Sequence, residues 1–157
     1  MAVQVGKKAP QFKLKNAKGN VLSSKDFLGK GLIVYFYPKD LTPGCTQEAC
    51  DFRDFNTALK KKGYAVVGIS KDSEELHQKF IDTHDLNFTL LSDPKGEVCE
   101  KFGVWKEKSL YGRKSMGIVR STFIIDAEGK IEEIFENVRA KGHVEKLLDY
   151  LGTRSKA

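Results

Sequence analysis

No run of apolar residues in this chain approaches the roughly eighteen needed to cross a bilayer as a helix. The longest, Leu32 to Tyr37, has the length of a strand, so no membrane association is expected. Cysteine is scarce. Three in 157 residues cannot make a disulfide framework, and an odd count leaves at least one thiol unpaired. Histidine is equally sparse: His77, His84 and His143 are scattered, and none has the spacing to a cysteine that a zinc site or a Cys–His nucleophile pair would need. Each is expected to face solvent or cap an element, and neither a metal nor an organic cofactor is expected. A surplus of 27 basic over 21 acidic residues gives a charge of +6, but no long basic stretch carries interleaved aromatics. A solvated basic surface is the better reading, with no nucleic-acid partner. Met1 to Pro10 holds lysines but no apolar segment and no small-residue cleavage site. No secretory signal is read there, and a cytoplasmic location is expected. There is no internal repeat or linker, so residues 1–157 read as one domain, with 152–157 as a frayed tail.

What is present reads as alternating strands and helices. A short hairpin across Ala17-Lys18-Gly19 precedes a helical turn opened by Ser23-Ser24-Lys25-Asp26. Leu32 to Tyr37 is continuously apolar, the pattern of a strand buried on both faces, and Pro38 ends it. From Pro43 to Lys62 the pattern is helical, with Cys45, Ala49, Phe52 and Leu59 on one side and Gly63 at the close. Tyr64 to Ile69 is a second buried strand, a helix opens at Ser73 with Leu76, Phe80 and Ile81 inward, and Phe88 to Leu91 is a third strand. A short helix at Glu97 to Phe102 leads into a basic stretch, Trp105 to Gly117, that reads as irregular; Trp105 and Tyr111 within it receive no role. Ser121 to Ile125 and Ile131 to Phe135 form a hairpin, and a last helix spans 142–151. The order predicts an α/β sandwich: a central mixed β-sheet with helices on both faces.

The stretch Pro38-Lys39-Asp40-Leu41-Thr42-Pro43-Gly44-Cys45-Thr46-Gln47-Glu48-Ala49-Cys50 carries the chemistry. It lies where a buried strand gives way to a helix, the place where ligands gather in open α/β sheets. Cys45 falls in the first helical turn, where free N–H groups and the helix dipole favour a thiolate, the nucleophilic form of the group. Thr42 can set a hydroxyl beside the sulfur and hydrogen-bond an incoming oxygen. Pro38, without an N–H, can shape and shield a pocket. Arg120 precedes a predicted strand whose end could lie near this helix start, where a guanidinium would stabilise the thiolate and donate hydrogen bonds to an incoming oxygen.

Pro38-x-x-x-Thr42-x-x-Cys45 resembles the peroxidatic motif of the peroxiredoxins, and a second cysteine five residues on, Cys50, resembles their peroxiredoxin Q, or bacterioferritin comigratory protein, subfamily. The likeness extends from Gly6-x-x-Ala9-Pro10-x-Phe12 through Tyr35-Phe36-Tyr37-Pro38 and Arg120-Ser121-Thr122-Phe123 to the last helix. It implies a thioredoxin-like fold, no metal or organic cofactor, and reduction of hydrogen peroxide and alkyl hydroperoxides. It further implies Cys45 as the peroxidatic residue, Cys50 as the resolving one, and Pro38, Thr42 and Arg120 as pocket residues. Glu48 would orient the arginine, a thioredoxin-type dithiol would supply electrons, and the chain would be a monomer or weak dimer. Read without the resemblance, Arg120 could be a surface residue, Glu48 a first-turn acid complementing the dipole, and Cys99 a packed thiol.

Resolution by Cys50 makes a geometric demand. Residues five apart on an intact α-helix have Cα atoms about 8.6 Å apart, whereas a disulfide needs at most about 7 Å. The first turns of the helix must unwind, giving a reduced helical state and an oxidised, locally unfolded one. Two rival functions share these residues. A general disulfide oxidoreductase would want Cys-x-x-Cys rather than four intervening residues. A peroxide-sensing redox switch, or a basic binding module built on one, would oxidise once without turning over.

Overall fold

The computed structural model describes residues 3–110 and 112–154; Tyr111 lies outside them. Lys13–Asn16 (β1) and Val21–Ser23 (β2) form the opening hairpin, whose turn is closed by the Asn16 side chain accepting from the N–H groups of Lys18 and Asn20, both at 3.0 Å. Ser23 and Asp26 then satisfy each other's backbone donors in a capping box around a single 3-10 turn.

Gly31–Phe36 (β3) is buried at every position, the outcome expected of an apolar run without alternation. Pro43–Lys61 (α1), Tyr64–Ser70 (β4), Glu74–His84 (α2) and Thr89–Ser92 (β5) follow, and β3, β4 and β5 are parallel neighbours. The sheet advances in one direction from β3 to β5, and crossovers of this kind are right-handed, so α1 and α2 must fall on the same face. They share one core there with the final helix, His143–Arg154 (α4): Tyr35, Phe52, Leu59, Phe80 and Leu147 are all fully buried in it. Tyr35 stacks on Phe52 with ring centroids 4.4 Å apart, and Gly68 on β4 makes that possible, because a Cβ there would lie 2.8 Å from the Tyr35 ring. The opposite face is covered by Glu97–Lys101 (α3), Phe102 and Phe12 over Val34, Phe36 and Phe123. Helices thus lie on both faces, but three against one.

Trp105–Leu110 (β6) and Arg113–Ile118 (β7) pair as a separate antiparallel hairpin, a correction to the irregular stretch expected there. Residues Arg113 to Met116 are all exposed, so no apolar alternation marks the strand, and the backbone ladder holds it. Ser121–Ile125 (β8) and Ile131–Phe135 (β9) complete a seven-stranded mixed sheet in the order β2-β1-β5-β4-β3-β8-β9. The last helix runs on to Arg154, so residues 152–154 are helical and not a frayed tail; 155–157 lie outside the described residues.

Two of the three histidines are buried, not solvent-facing. His77 stands one turn before Phe80 on the inner side of α2, and His143 adjoins Val144 at the start of α4. His84 is half-buried. The His143 ring meets the Thr122 hydroxyl at 2.7 Å, and burial, aided by the charges of Arg120 and Lys146, lowers it from 6.5 to about 4. The unfolded chain therefore binds a proton between these values that the folded one refuses. Stability from this group is full above about pH 6.5 and is lost as pH falls towards 4, by about 2 kcal/mol between pH 7 and 5. His143→Gln is expected to remove that share of the acid destabilisation in urea unfolding at the two pH values; an unchanged difference between them would contradict it.

Candidate active site

The antiparallel register of β3 and β8 sets Ser121 opposite Phe36, which brings the preceding residue, Arg120, to the carboxyl end of β3 where the chain turns into α1. Its backbone is fixed from both sides: the Val119 N–H donates to the Val104 carbonyl at 2.8 Å, and the Val138 N–H donates to the Arg120 carbonyl at 2.9 Å. Across from it, Thr42 is the N-cap of α1 and Pro43 its first residue, a position that tolerates the missing N–H. Cys45 is therefore in the first turn, as expected, with only 2% of its surface exposed. The Arg120 guanidinium spans two partners. Nη2 donates to Cys45 Sγ at 3.4 Å, and Nη1 donates to Glu48 Oε1 at 2.5 Å. Glu48, three residues after Cys45, points to the same inner side of α1 and is fully buried, so the dipole-complementing surface acid does not describe it. Gly44 leaves the guanidinium its room: a Cβ there would stand 3.2 Å from Nη2.

Burial pushes the Glu48 carboxyl up from 4.5 to about 7, with Arg120 pulling against the shift and Asp51 adding to it. The guanidinium also suffers from burial, but the negative partners Glu48 and Cys45 outweigh this and hold its proton more firmly than usual. Lys108, on the β6–β7 hairpin, is a further cation in the field of this site; burial and then Arg120 weaken its hold on a proton, and Cys45 strengthens it. One hydroxyl nearby has no hydrogen-bond partner among the described residues, that of the buried Tyr35.

The other expected residues take distinct places. Thr42 uses its hydroxyl proton on the Lys39 carbonyl at 2.8 Å, so towards a substrate it offers lone pairs and accepts. Pro38 is exposed at the edge of the same loop. Cys50 is half-buried on α1, its thiol free, as are those of Cys45 and Cys99, and α1 is unbroken between Cys45 and Cys50. Cys99 is enclosed in the opposite core, where burial and the neighbouring Asp93 carboxylate push its thiol far up, which suits a packed thiol. The sequence reading missed a largely buried cluster behind the same loop: Tyr37 and Asp40, the half-buried Asp72 before α2, and His77 in α2. Asp40, Asp72 and His77 form one group, among the described residues, close enough to suggest a metal, but the hydrogen bonds described below occupy them. The signal was available in α2, where the Phe80–Ile81 stripe puts His77 inward.

Residues 5–134 match the model of the AhpC/TSA family. The chain belongs to that family. It is 50% identical over 151 residues to a protein named putative peroxiredoxin bcp from Coxiella burnetii, covering 96% of this chain and 100% of the other. With peroxiredoxin Bcp of Bacillus subtilis the identity is 44% over 151 residues, covering 96% of each. Among solved structures, a mutant of Xylella fastidiosa PrxQ superposes with a TM-score of 0.93 at 30% identity over 99% of both chains. The bacterioferritin comigratory protein of Xanthomonas campestris, described in terms of its alkyl peroxide reduction activity, does so at 0.88 and 33% identity, over 96% of this chain and 99% of the other. The fold is the thioredoxin-like one of these peroxiredoxins, and the chain is a thiol peroxidase.

Within this peroxiredoxin the raised Glu48 has a consequence for stability. The folded state keeps the Glu48 proton that the unfolded chain releases near pH 4.5, so the contribution is full below that pH and is lost as pH rises through about 7. Its size between pH 5 and 8 is on the order of 3 kcal/mol. Glu48→Gln keeps the side chain's shape and cannot titrate; its urea unfolding is expected to lack this loss. An equal loss in wild type and variant would show that the carboxyl ionises in the ordinary range.

Proposed function

We propose that Cys45 is the residue that attacks the hydroperoxide and Cys50 the one that resolves the product, in a cycle completed by a thioredoxin-type dithiol. The observation that carries the reading is the Arg120 contact to Cys45 Sγ, because the same guanidinium that stabilises a thiolate is aimed at where negative charge moves in the reaction. The Cys45 thiolate attacks one peroxide oxygen, the O–O bond breaks, and the other oxygen leaves with a proton as water or alcohol. Arg120 donates to the oxygens as charge develops on them, Thr42 accepts from the hydroperoxide O–H, and Pro38, exposed at the loop edge, shapes the rim of the pocket. Glu48 orients Arg120. The Cys50 thiolate then attacks the Cys45 sulfenic sulfur, expelling hydroxide that leaves as water, and the disulfide returns to two thiols at the expense of the dithiol partner.

The helix has two halves of different security. Its first turns are cross-linked by the Glu48–Arg120 pair, whereas the half beyond Phe52 is clasped to the loop after α2. Arg53 Nη1 donates to the His84 carbonyl at 2.7 Å, Asn56 Nδ2 to the Asn87 carbonyl at 3.0 Å, and Asn87 Nδ2 back to the Arg53 carbonyl at 3.2 Å. Unwinding on oxidation runs from Pro43 to about Asp51 and stops at that clasp, which frees both cysteines and leaves the core in place.

The chain acts as a monomer or weak dimer, as a single domain over residues 1–157, in the cytoplasm, and without nucleic acid or membrane as partners. Among the described residues no helix is long and apolar enough to cross a membrane. The test is peroxide consumption coupled to thioredoxin and its reductase, with Cys45→Ser, Cys50→Ser and Cys99→Ser beside wild type. Cys45→Ser should abolish turnover, Cys50→Ser should stop recycling after one oxidation, and Cys99→Ser should keep turnover, because Cys99 packs in the core on the opposite face of the sheet from Cys45. Loss of two thiols on peroxide treatment without turnover would replace this reading with the redox sensor.

A further inference from the structure

The Cys45 chemistry leaves a group of buried polar side chains unused, and one of its members, Asp40, sits in the 38–42 loop two residues before Thr42. Asp40 is held at every polar atom it has to offer from its side chain and amide. The Tyr37 hydroxyl donates to Oδ1 at 2.5 Å, and His77 Nδ1 meets Oδ2 at 2.5 Å. The Asp40 N–H donates to Asp72 Oδ2 at 2.7 Å, an oxygen that also accepts from the Ser70 hydroxyl at 2.7 Å. On its far side the His77 ring meets the Leu91 carbonyl through Nε2 at 3.0 Å; a carbonyl only accepts, so Nε2 carries a hydrogen and a single proton is shared between Nδ1 and Asp40. The set joins the carboxyl ends of β3, β4 and β5 to α2, and Tyr37, Asp40 and His77 are each at most 2% exposed.

The chain leaving this anchor is strained. Leu41 has φ of 65°, a left-handed conformation that a branched residue adopts only when its surroundings over-determine it. Thr42 comes next, caps α1 and binds back to Lys39. Asp40 is thus the last fixed point before the strained residue, and its position sets where the Thr42 hydroxyl and the first turn of α1 stand relative to Arg120.

We propose that Tyr37, Asp40 and His77 are positioning residues for the peroxidatic step: a buried relay that holds the 38–42 loop in the strained geometry that aligns Thr42 with Cys45 and the peroxide. They touch no reacting atom. The inference rests on the reading of Cys45 as the peroxide-attacking residue, and it adds that the speed of this attack depends on a hydrogen-bond network behind the loop.

The test measures the second-order rate of Cys45 oxidation by hydroperoxide in a single turnover, with unreacted thiol trapped by alkylation, and the rate of disulfide formation separately. Asp40→Ala is expected to slow the first rate about tenfold or more, the scale of a misplaced reacting geometry, with much less effect on the second. Asp40→Asn can accept from Tyr37 and donate to Nδ1 of a neutral His77, so it should restore the rate to within about threefold of wild type. A purely structural role would move melting temperature without this split or this rescue. Wild-type oxidation by a folded Asp40→Ala protein overturns the proposal, and so does an Asp40→Asn variant as slow as Asp40→Ala, which would assign the effect to charge. Should Asp40→Ala not fold, Tyr37→Phe decides in its place, since it removes only a hydroxyl: a slowed oxidation supports the relay and an unchanged rate overturns it. A wild-type protein that does not oxidise at Cys45 would instead refute the underlying assignment.

Discussion

The pair between Arg120 and Glu48 is the interaction on which the rest of this site depends. Both groups are largely withdrawn from water, and a buried ion pair of this kind returns little net stability, because desolvation consumes most of its attraction. Its effect is positional. It ties the first turn of α1 to the segment entering β8, two pieces 72 residues apart in sequence, and it leaves the second guanidinium nitrogen pointing at Cys45. The raised Glu48 shows the strain of this arrangement: burial works against the carboxylate even with a cation 2.5 Å away. A link that fixes position at little net gain in stability suits a helix end that is proposed to let go during each catalytic cycle.

The same economy appears on the two sides of the segment proposed to unwind. Behind its start stands the Tyr37–Asp40–His77 cluster, and beyond its end stands the Arg53–Asn56–Asn87 clasp. Between them α1 carries both Cys45 and Cys50, and among the described residues its tertiary polar links there come from Arg120, to Glu48 and to Cys45. Local unfolding needs such a gradient, with a weakly held stretch between well-held neighbours. The sheet beneath, with Tyr35 stacked on Phe52, would keep the core intact during the proposed unwinding.

Much of this was legible in the sequence, for identifiable reasons. The run Leu32 to Tyr37 without alternation carries the signature of a strand covered on both sides, and the helical pattern from Pro43 onward puts Cys45 in a first turn. Those two facts put Cys45 at the carboxyl edge of the sheet. Other features could not be read because their causes are tertiary. The β6–β7 hairpin is exposed and charged, so its backbone pairing leaves no hydrophobic trace. Glu48 falls on the Cys45–Ala49–Phe52 side of α1, but its charge argued for the surface, and only Arg120, meeting it across the fold, gives it the partner that lets it be buried. Thr42 donating to Lys39, which turns it from a donor into an acceptor towards substrate, is set by a loop conformation that includes a left-handed leucine. His77 is a case of the same kind as Glu48: its place in the Phe80–Ile81 stripe marked it as inward, and its polarity argued for the surface. The buried Asp40 decides the matter by giving the ring a partner.

The central claim is that oxidation unwinds the start of α1 and spares the rest. Amide hydrogen exchange read residue by residue, in the reduced protein and after one equivalent of peroxide, tests it directly. Protection is predicted to fall by orders of magnitude from Cys45 to Asp51 on oxidation and to persist from Phe52 to Leu59. Undiminished protection across Cys45 to Asp51 in a protein that has formed the Cys45–Cys50 disulfide would contradict the account.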